Sequence, residues 1–267
     1  MKVIPELQNH KLDNNTKIWR YMDFTKFLDL IINQRLYFRR IDLFEDPYEG
    51  YIRDAYKAGV EKDYLEIKTD LNLRDDEHKS LVSSHFNGLE LIPLNSYASC
   101  WYLGVSESAA MWKLYGATSD CIAICSTVND LAVTLDENNE EVETGCLYLQ
   151  KVDYINHSSQ PSPKNWLKPM FEKRESFAHE NEFRALFVLN DGLKCLSWPN
   201  HKIPSKENLK RINEDGFCLD INVIQLVKKI YISPTASPLF HDLVEKVLKL
   251  VDLDGIECVK SDLYKLK

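Results

Sequence analysis

Glu180-Asn181-Glu182-Phe183-Arg184 places two carboxylates and a guanidinium at alternate positions at the head of an otherwise apolar run. On a strand, that spacing turns all three charges to one face. Carboxylates held so close repel, and Arg184 offsets only part of the repulsion, so one of them is expected to titrate high and serve as an acid or base. The plain structural alternative is a solvated sheet edge with Glu–Arg pairing. A second group is Phe44-Glu45-Asp46-Pro47-Tyr48-Glu49-Gly50, where Asp46 and Glu49 flank a rigid turn. An Asp before Pro commonly bonds its own turn backbone, which accounts for Asp46 more readily than for Glu49. Ser99-Cys100-Trp101 and Met111-Trp112-Lys113-Leu114-Tyr115 form a third group. Trp112 and Tyr115 stand one helical turn apart and suit either a wall for a flat aromatic ligand or simple core packing. The fourth is Arg20-Tyr21, whose guanidinium fork suits a pyrophosphate or carboxylate, or a surface ion pair.

The elements that must position these residues follow from periodicity. Residues 17–22 read as a short strand. Asp23 or Thr25 then caps a helix whose apolar positions 24, 27, 28, 31 and 32 share one face. LYFRR at 36–40 alternates as a strand, and FEDPYEG follows as an ordered turn. Residues 51–85, rich in charge, read as a helical insertion or lid. SYASCWY is a strand, and Ser106 and Gly116 bracket a helix over SESAAMWKLYG. CIAICST is a buried strand, NDLAVTL opens a helix, and CLYLQKVDYI alternates as a strand. PKNWLKPMFEKRESFA reads as a helix broken at Pro169, and EFRALFVL at 182–189 as a strand. FCLDI, VKKIYISP, a helix over 238–251 and a last strand at GIECVK complete the chain. Strands adjacent in sequence favour α+β, with mixed or antiparallel sheets, over a doubly wound sheet.

The 267 residues carry 33 basic and 41 acidic side chains, a net charge of −8, which argues against a binder of bulk nucleic acid. Hydrophobic residues at 44% and charged residues at 28% are globular proportions. With no Pro/Gly/Ser-rich linker, residues 1–267 are expected to form a single domain. The apolar runs are far shorter than the roughly 18 residues of a membrane span, and the opening MKVIPELQNHKLDNN has no apolar signal region, so a cytoplasmic, membrane-free protein is expected. Seven scattered cysteines show no CxxC pair or zinc spacing, and reduced thiols are expected. P-loop, GxGxxG, HExxH and GxSxG signatures are absent from the sequence.

Trp19-Arg20-Tyr21, LYFRRIDLFEDPYEG, SCW, MWKLYG, CIAIC, VDYIN and ENEFR occur in an order and spacing that resembles a bacterial family known as domain of unknown function 2971, over about residues 17–190. Two departures stand out: that family often has Tyr-Lys-Tyr at residues 19–21, and Glu45 replaces the Asn of its FNDP turn. The layout is also remotely similar to that of mono-ADP-ribosyltransferases, with a basic residue on a first strand, a small hydroxyl on a middle strand and Glu-x-Glu entering a late one. This likeness implies a split-sheet core with NAD as co-substrate. Arg20 would anchor the pyrophosphate, Ser99 would support the nicotinamide half, and Glu182 would bind the ribose and stabilise an oxocarbenium-like state. Glu180 would orient the unknown acceptor, Tyr21, Trp112 and Tyr115 would stack, and Asp46, Glu49 and Arg184 would support the site. No metal is expected in that scheme, and a toxin or phage-defence effector is the implied role. Two alternatives stand beside it. One is a Mg²⁺-dependent phosphodiesterase or nuclease built on Asp46, Glu49, Glu180 and Glu182, and the other is a regulatory binding module without chemistry.

Overall fold

A computed structural model describes residues 3–4, 12–115, 120–137, 145–156, 158, 165–189 and 214–266. Strand β1 (Val3–Ile4) precedes β2 (Lys17–Asp23), which runs into helix α1 (Phe24–Ile32). Asp23 is the cap, accepting from the Lys26 amide at 2.8 Å, and α1 buries Phe27, Leu30 and Ile31. Strand β3 (Arg35–Arg40) follows a one-residue left-handed turn at Gln34 (φ 47°). Helices α2 (Asp54–Asp70) and α3 (Asp75–Leu91) then form a hairpin. Next come β4 (Ser96–Leu103), α4 (Ala109–Tyr115), β5 (Cys121–Thr127), α5 (Val128–Glu137) and β6 (Gly145–Lys151). The chain continues through β7 (Asp153–Ile155), β8 (Glu172–Arg174), β9 (Glu182–Leu189) and β10 (Gly216–Asp220). A short helix α6 (Val223–Leu226), β11 (Lys229–Ile232), α7 (Pro238–Leu250) and β12 (Glu257–Lys260) complete it. The expected end of α4 at Gly116 lies outside the described residues.

The fold is α+β around one mixed sheet, in the order β1-β6-β9-β4-β2-β5-β11-β12. The β1–β6 and β11–β12 pairs are parallel and the other pairs in this sheet antiparallel. Strand β9 runs along one whole edge of β4. The other edge is shared: Arg39 and Arg40 of β3 pair with Ala98 and Tyr97, whereas Ile18 and Trp19 of β2 pair with Leu103 and Tyr102. The sheet therefore forks at Ser99–Trp101, one branch leading through β3 to β10 and the other through β2 to β5, β11 and β12.

Antiparallel register assigns the faces of β4, because directly opposed residues point the same way. Tyr97, Trp101, Phe183, Ala185 and Phe187 belong to the main core with Phe27, Phe38 and Val244. Ala98, Leu186 and Val188 lie on the other face, in a second core with Ile41, Tyr56, Val60, Leu89, Met170 and Phe171. The base of the α2–α3 hairpin is thus part of a core rather than a pure excursion. Its tip is solvated, with Leu71 exposed. The hairpin also reaches Leu91, past the expected limit at 85.

The stretch read as a broken helix folds otherwise. Pro169 sits in the first turn of a 3-10 turn (Lys168–Phe171), followed by β8 and a second 3-10 turn (Glu175–Glu180). Register accounts for the difference, since β8 pairs in parallel with β7 to form a separate two-stranded sheet. That sheet exists because Val152, whose amide donates to Glu182 O at 2.9 Å, separates β7 from β6. No helix among the described residues is long and apolar enough to cross a membrane.

Candidate functional site

Arg20 of β2 stands in the fork. Its Nη1 donates to Ser99 Oγ, its Nη2 donates to Tyr37 O of β3 at 3.2 Å, and its guanidinium lies 5.8 Å from the centre of the Trp101 ring. Trp101 Nε1 also donates to Ser99 Oγ, at 3.2 Å. The arginine thus ties the two branches together where no β4 ladder bond can. Burial lowers its pKa, and the neighbouring Cys100 and Tyr115 oppose that shift; a guanidinium remains charged regardless.

Glu182 opposes Tyr102 in the β4–β9 ladder, so it leaves the sheet on the face of Cys100, opposite to that of Ser99. There it enters a buried charge cluster. Arg184 Nε donates to Glu182 Oε1 at 2.7 Å, Arg184 Nη2 to Glu49 Oε2 at 3.0 Å and Arg184 Nη1 to Met170 O at 2.6 Å. Lys173 Nζ lies 3.1 Å from Glu49 Oε1, 2.6 Å from Glu180 Oε2 and 3.5 Å from Glu182 Oε2. Three carboxylates face two cations, so the cluster carries one surplus negative charge.

Glu180 and Glu182 do converge, but by a turn rather than by strand period. Glu180 ends a 3-10 turn, Asn181 takes the left-handed conformation (φ 36°), and β9 starts only at Glu182. Glu49 is delivered by the FEDPYEG turn, which Asp46 organises by accepting from the Tyr48 amide at 3.1 Å. Gly50 has φ +70°, a left-handed conformation that the turn reserves for glycine, and a Cβ there would also crowd Met170 Cε at 2.9 Å. Asp46 also holds Arg174, at 2.9 Å.

The expected acid or base is not found at Glu182. Burial pushes its pKa up, but Arg184 and Lys173 outweigh burial and hold it at about 2. It is an anion throughout the ordinary pH range. Lys173 is pushed upward by Glu182, Glu49 and Glu180 despite burial, and remains a cation. Burial and the adjacent Glu182 raise the Cys100 thiol, which stays protonated.

A lowered acid pKa in the folded state gives stability that is present above the unfolded value and lost as pH falls through the folded one. For Glu182 the window runs from 4.5 to about 2, and the loss is about 3 kcal/mol. Urea midpoints measured across that window should fall steeply for the wild type, and less steeply for Glu182→Gln. Equal slopes would show that Glu182 is not held as an anion by the cluster.

The aromatic candidates separate. Tyr21 and Trp112 are buried together, 5.0 Å apart edge to face, with Tyr21 Oη accepting from the Ser108 amide and Trp112 Nε1 donating to Glu107. They are packing residues, not a ligand wall. Tyr115 is 46% exposed. Its phenol lies within electrostatic reach of Cys100, Glu180, Glu182 and Lys173, and Arg20 in turn senses both Tyr115 and Cys100. By register Arg20 leaves β2 on the face of Ser99 and Trp101, whereas Glu182 leaves β9 on the face of Cys100, so the two side chains start from opposite faces of the sheet.

Asp46, Glu49, Glu180 and Glu182 are each taken up by an arginine or lysine. Among the described residues no group of three or more His, Cys, Asp or Glu is arranged to hold a metal ion. Sequence reasoning missed Lys173, the hub of the cluster, because its segment was assigned to a helix. The Pro169 break argued against a continuous helix, but three consecutive charges at Glu172-Lys173-Arg174 carry no period-two pattern that would name a strand. Compared with protein-family models, with curated proteins and with solved structures, the chain matches none.

Proposed function

We propose that the chain is an NAD-dependent ADP-ribosyltransferase-like enzyme whose substrate lies between Arg20 and Glu182. The observation that carries this is an arginine seated in the fork of the sheet, bonded to Ser99 Oγ and to Tyr37 O, with an ionised glutamate at the head of β9 on the far edge of β4. Arg20 offers guanidinium N–H groups to a pyrophosphate, and Tyr115 is the exposed aromatic that can stack beside it. Glu182 Oε1 is committed to Arg184, while Oε2 is only loosely held by Lys173, leaving Oε2 as the acceptor for a ribose hydroxyl.

In the proposed reaction the bond between ribose C1′ and the nicotinamide nitrogen breaks. The electron pair leaves with the nitrogen, and positive charge develops on the ribose. The surplus negative charge of the cluster is of the sign that stabilises it. A bond then forms from C1′ to the acceptor oxygen or nitrogen, or to water, whose proton is released to solvent. Glu182, already ionised, contributes electrostatics rather than proton transfer.

The test is incubation of the full chain with adenine-labelled NAD, with and without cell lysate. Nicotinamide release with label on ADP-ribose or on an acceptor is expected. Arg20→Ala should raise KM for NAD by about tenfold or more, the cost of losing a charge-assisted pair, and Arg20→Lys should recover part of it. A wild-type protein that neither binds nor cleaves NAD overturns the proposal.

A further inference from the structure

Strand β8 is a partition. Lys173 points into the buried cluster, while its neighbours Glu172 and Arg174 pair with Arg53 and Asp46 on the other side. On that other side lies a cleft of about 720 Å³, lined by Tyr48, Tyr51, Arg53, Asn156, Arg174 and Ser176 among others. Its volume is in the range of small-molecule sites, roughly 300–1,000 Å³.

The lining has a distinct chemistry. Tyr48 and Tyr51 meet edge to face at 5.6 Å and are 39% and 41% exposed. Arg174 is rigid: its guanidinium is gripped by Asp46 through Nε and Nη2 and lies 4.8 Å from the Tyr48 ring centre and 5.4 Å from that of Phe177. Its charge is thereby compensated, yet a guanidinium has five N–H donors and Asp46 engages only some of them. Asn156 accepts from the Ser158 amide through Oδ1, and its amide nitrogen has no partner among the described residues.

Electrostatics decide against an anionic occupant. Arg53 and Arg174 are each matched by a carboxylate, Glu172 and Asp46, and the cleft is also lined by Asp54 and Glu175, which form no ion pair among the described residues. A phosphate would meet the carboxylates of Asp54 and Glu175, with both arginines already engaged and the N-terminus of α2 already occupied by Asp54. A neutral ring with vicinal hydroxyls meets what the cleft supplies: an aromatic corner for its apolar face, and fixed donors and acceptors for its hydroxyls.

We infer that this cleft binds an uncharged ring bearing vicinal hydroxyls, either a free sugar or the ribose of a nucleoside. The inference is independent of NAD cleavage, since it concerns the far side of β8 and is read by binding alone. Saturation-transfer NMR on the full chain, without NAD, with D-glucose, D-ribose, adenosine and AMP as separate probes, tests it. Signal from either sugar identifies a sugar site; signal from adenosine alone identifies a nucleoside site. The bound probe should weaken about tenfold or more in Tyr51→Ala, the scale of one lost stacking contact, while the exposed position leaves the fold intact. Absence of signal from all four probes, a response unchanged by Tyr51→Ala, or AMP binding more tightly than adenosine would each overturn it.

Discussion

Glu182→Gln is expected to slow NAD cleavage by about 10²–10³-fold, the usual loss when one preorganised electrostatic stabiliser is removed. The amide keeps an oxygen for Arg184 Nε but removes one negative charge, taking the cluster from three carboxylates against two cations to two against two. The surplus charge that would face the developing oxocarbenium disappears, while Lys173 keeps Glu49 and Glu180 and Arg184 keeps Glu49. The variant should therefore fold and retain NAD affinity, so that kcat falls and KM changes little. Glu180→Gln is the control within the same cluster. It should spare hydrolysis to ADP-ribose and impair transfer, because Glu180 holds Lys173 and its proposed role is with the acceptor. Steady-state nicotinamide release by the two variants, with and without EDTA, separates the readings. A fully active Glu182→Gln protein ends the transferase proposal, and an activity restored by added Mg²⁺ would favour the metal alternative.

Arg184→Ala is expected to cost about 3–5 kcal/mol of folding stability, the scale for breaking a buried ion pair on one side. Arg184 has no exposed surface, and its guanidinium simultaneously serves Glu182, Glu49 and the Met170 carbonyl. Its removal leaves three carboxylates, Glu49, Glu180 and Glu182, with Lys173 alone to offset them, and strips the Met170 oxygen of its donor. Arg184→Lys should recover little, because an ammonium cannot reproduce a planar fork reaching three acceptors. Replacing Glu49, Glu182 and Arg184 together by apolar residues of similar volume should cost far less than Arg184→Ala alone, since no unpaired charge remains. Urea denaturation of the three proteins measures this. A loss below about 1 kcal/mol for Arg184→Ala would show the cluster to be solvent-screened like a surface pair.

The periodic elements were legible from the residues alone, for a physical reason: each is specified locally. Asp23 caps α1 through its own neighbour's amide. The apolar period over 24–32 selects the buried face of that helix, and the run Glu182–Leu189 is a strand with the expected limits. The Asp-Pro turn at 44–50 likewise forms from its own backbone bonds and the left-handed glycine that closes it. What failed was local ambiguity. Residues 165–180 carry helix-compatible spacing, and only the parallel pairing of β8 with β7, distant in sequence, makes a strand of Glu172–Arg174 and turns Lys173 inward.

Chemistry divides in the same way. The residue types at Arg20, Ser99, Glu49, Glu180, Glu182 and Arg184 could be singled out because charges and hydroxyls at the heads of apolar strands are costly unless they have partners. Their partners could not be. Whether Glu182 titrates high or low depends on Arg184 and on Lys173, nine residues away along a chain that turns twice, and those cations reverse the shift that burial alone would give. Which face each side chain takes depends on register: Ser99 and Cys100 are adjacent in sequence, yet one turns to Arg20 and Trp101 and the other to Glu182. The forked edge of β4 arises from two strands, β2 and β3, competing for one ladder, and no local pattern in either strand encodes where the second one must let go. The sequence by itself determined which residues are too expensive to leave unpaired; only the tertiary structure decided with what each is paired, because pairing is a long-range contact and its energy depends on burial that the whole fold creates.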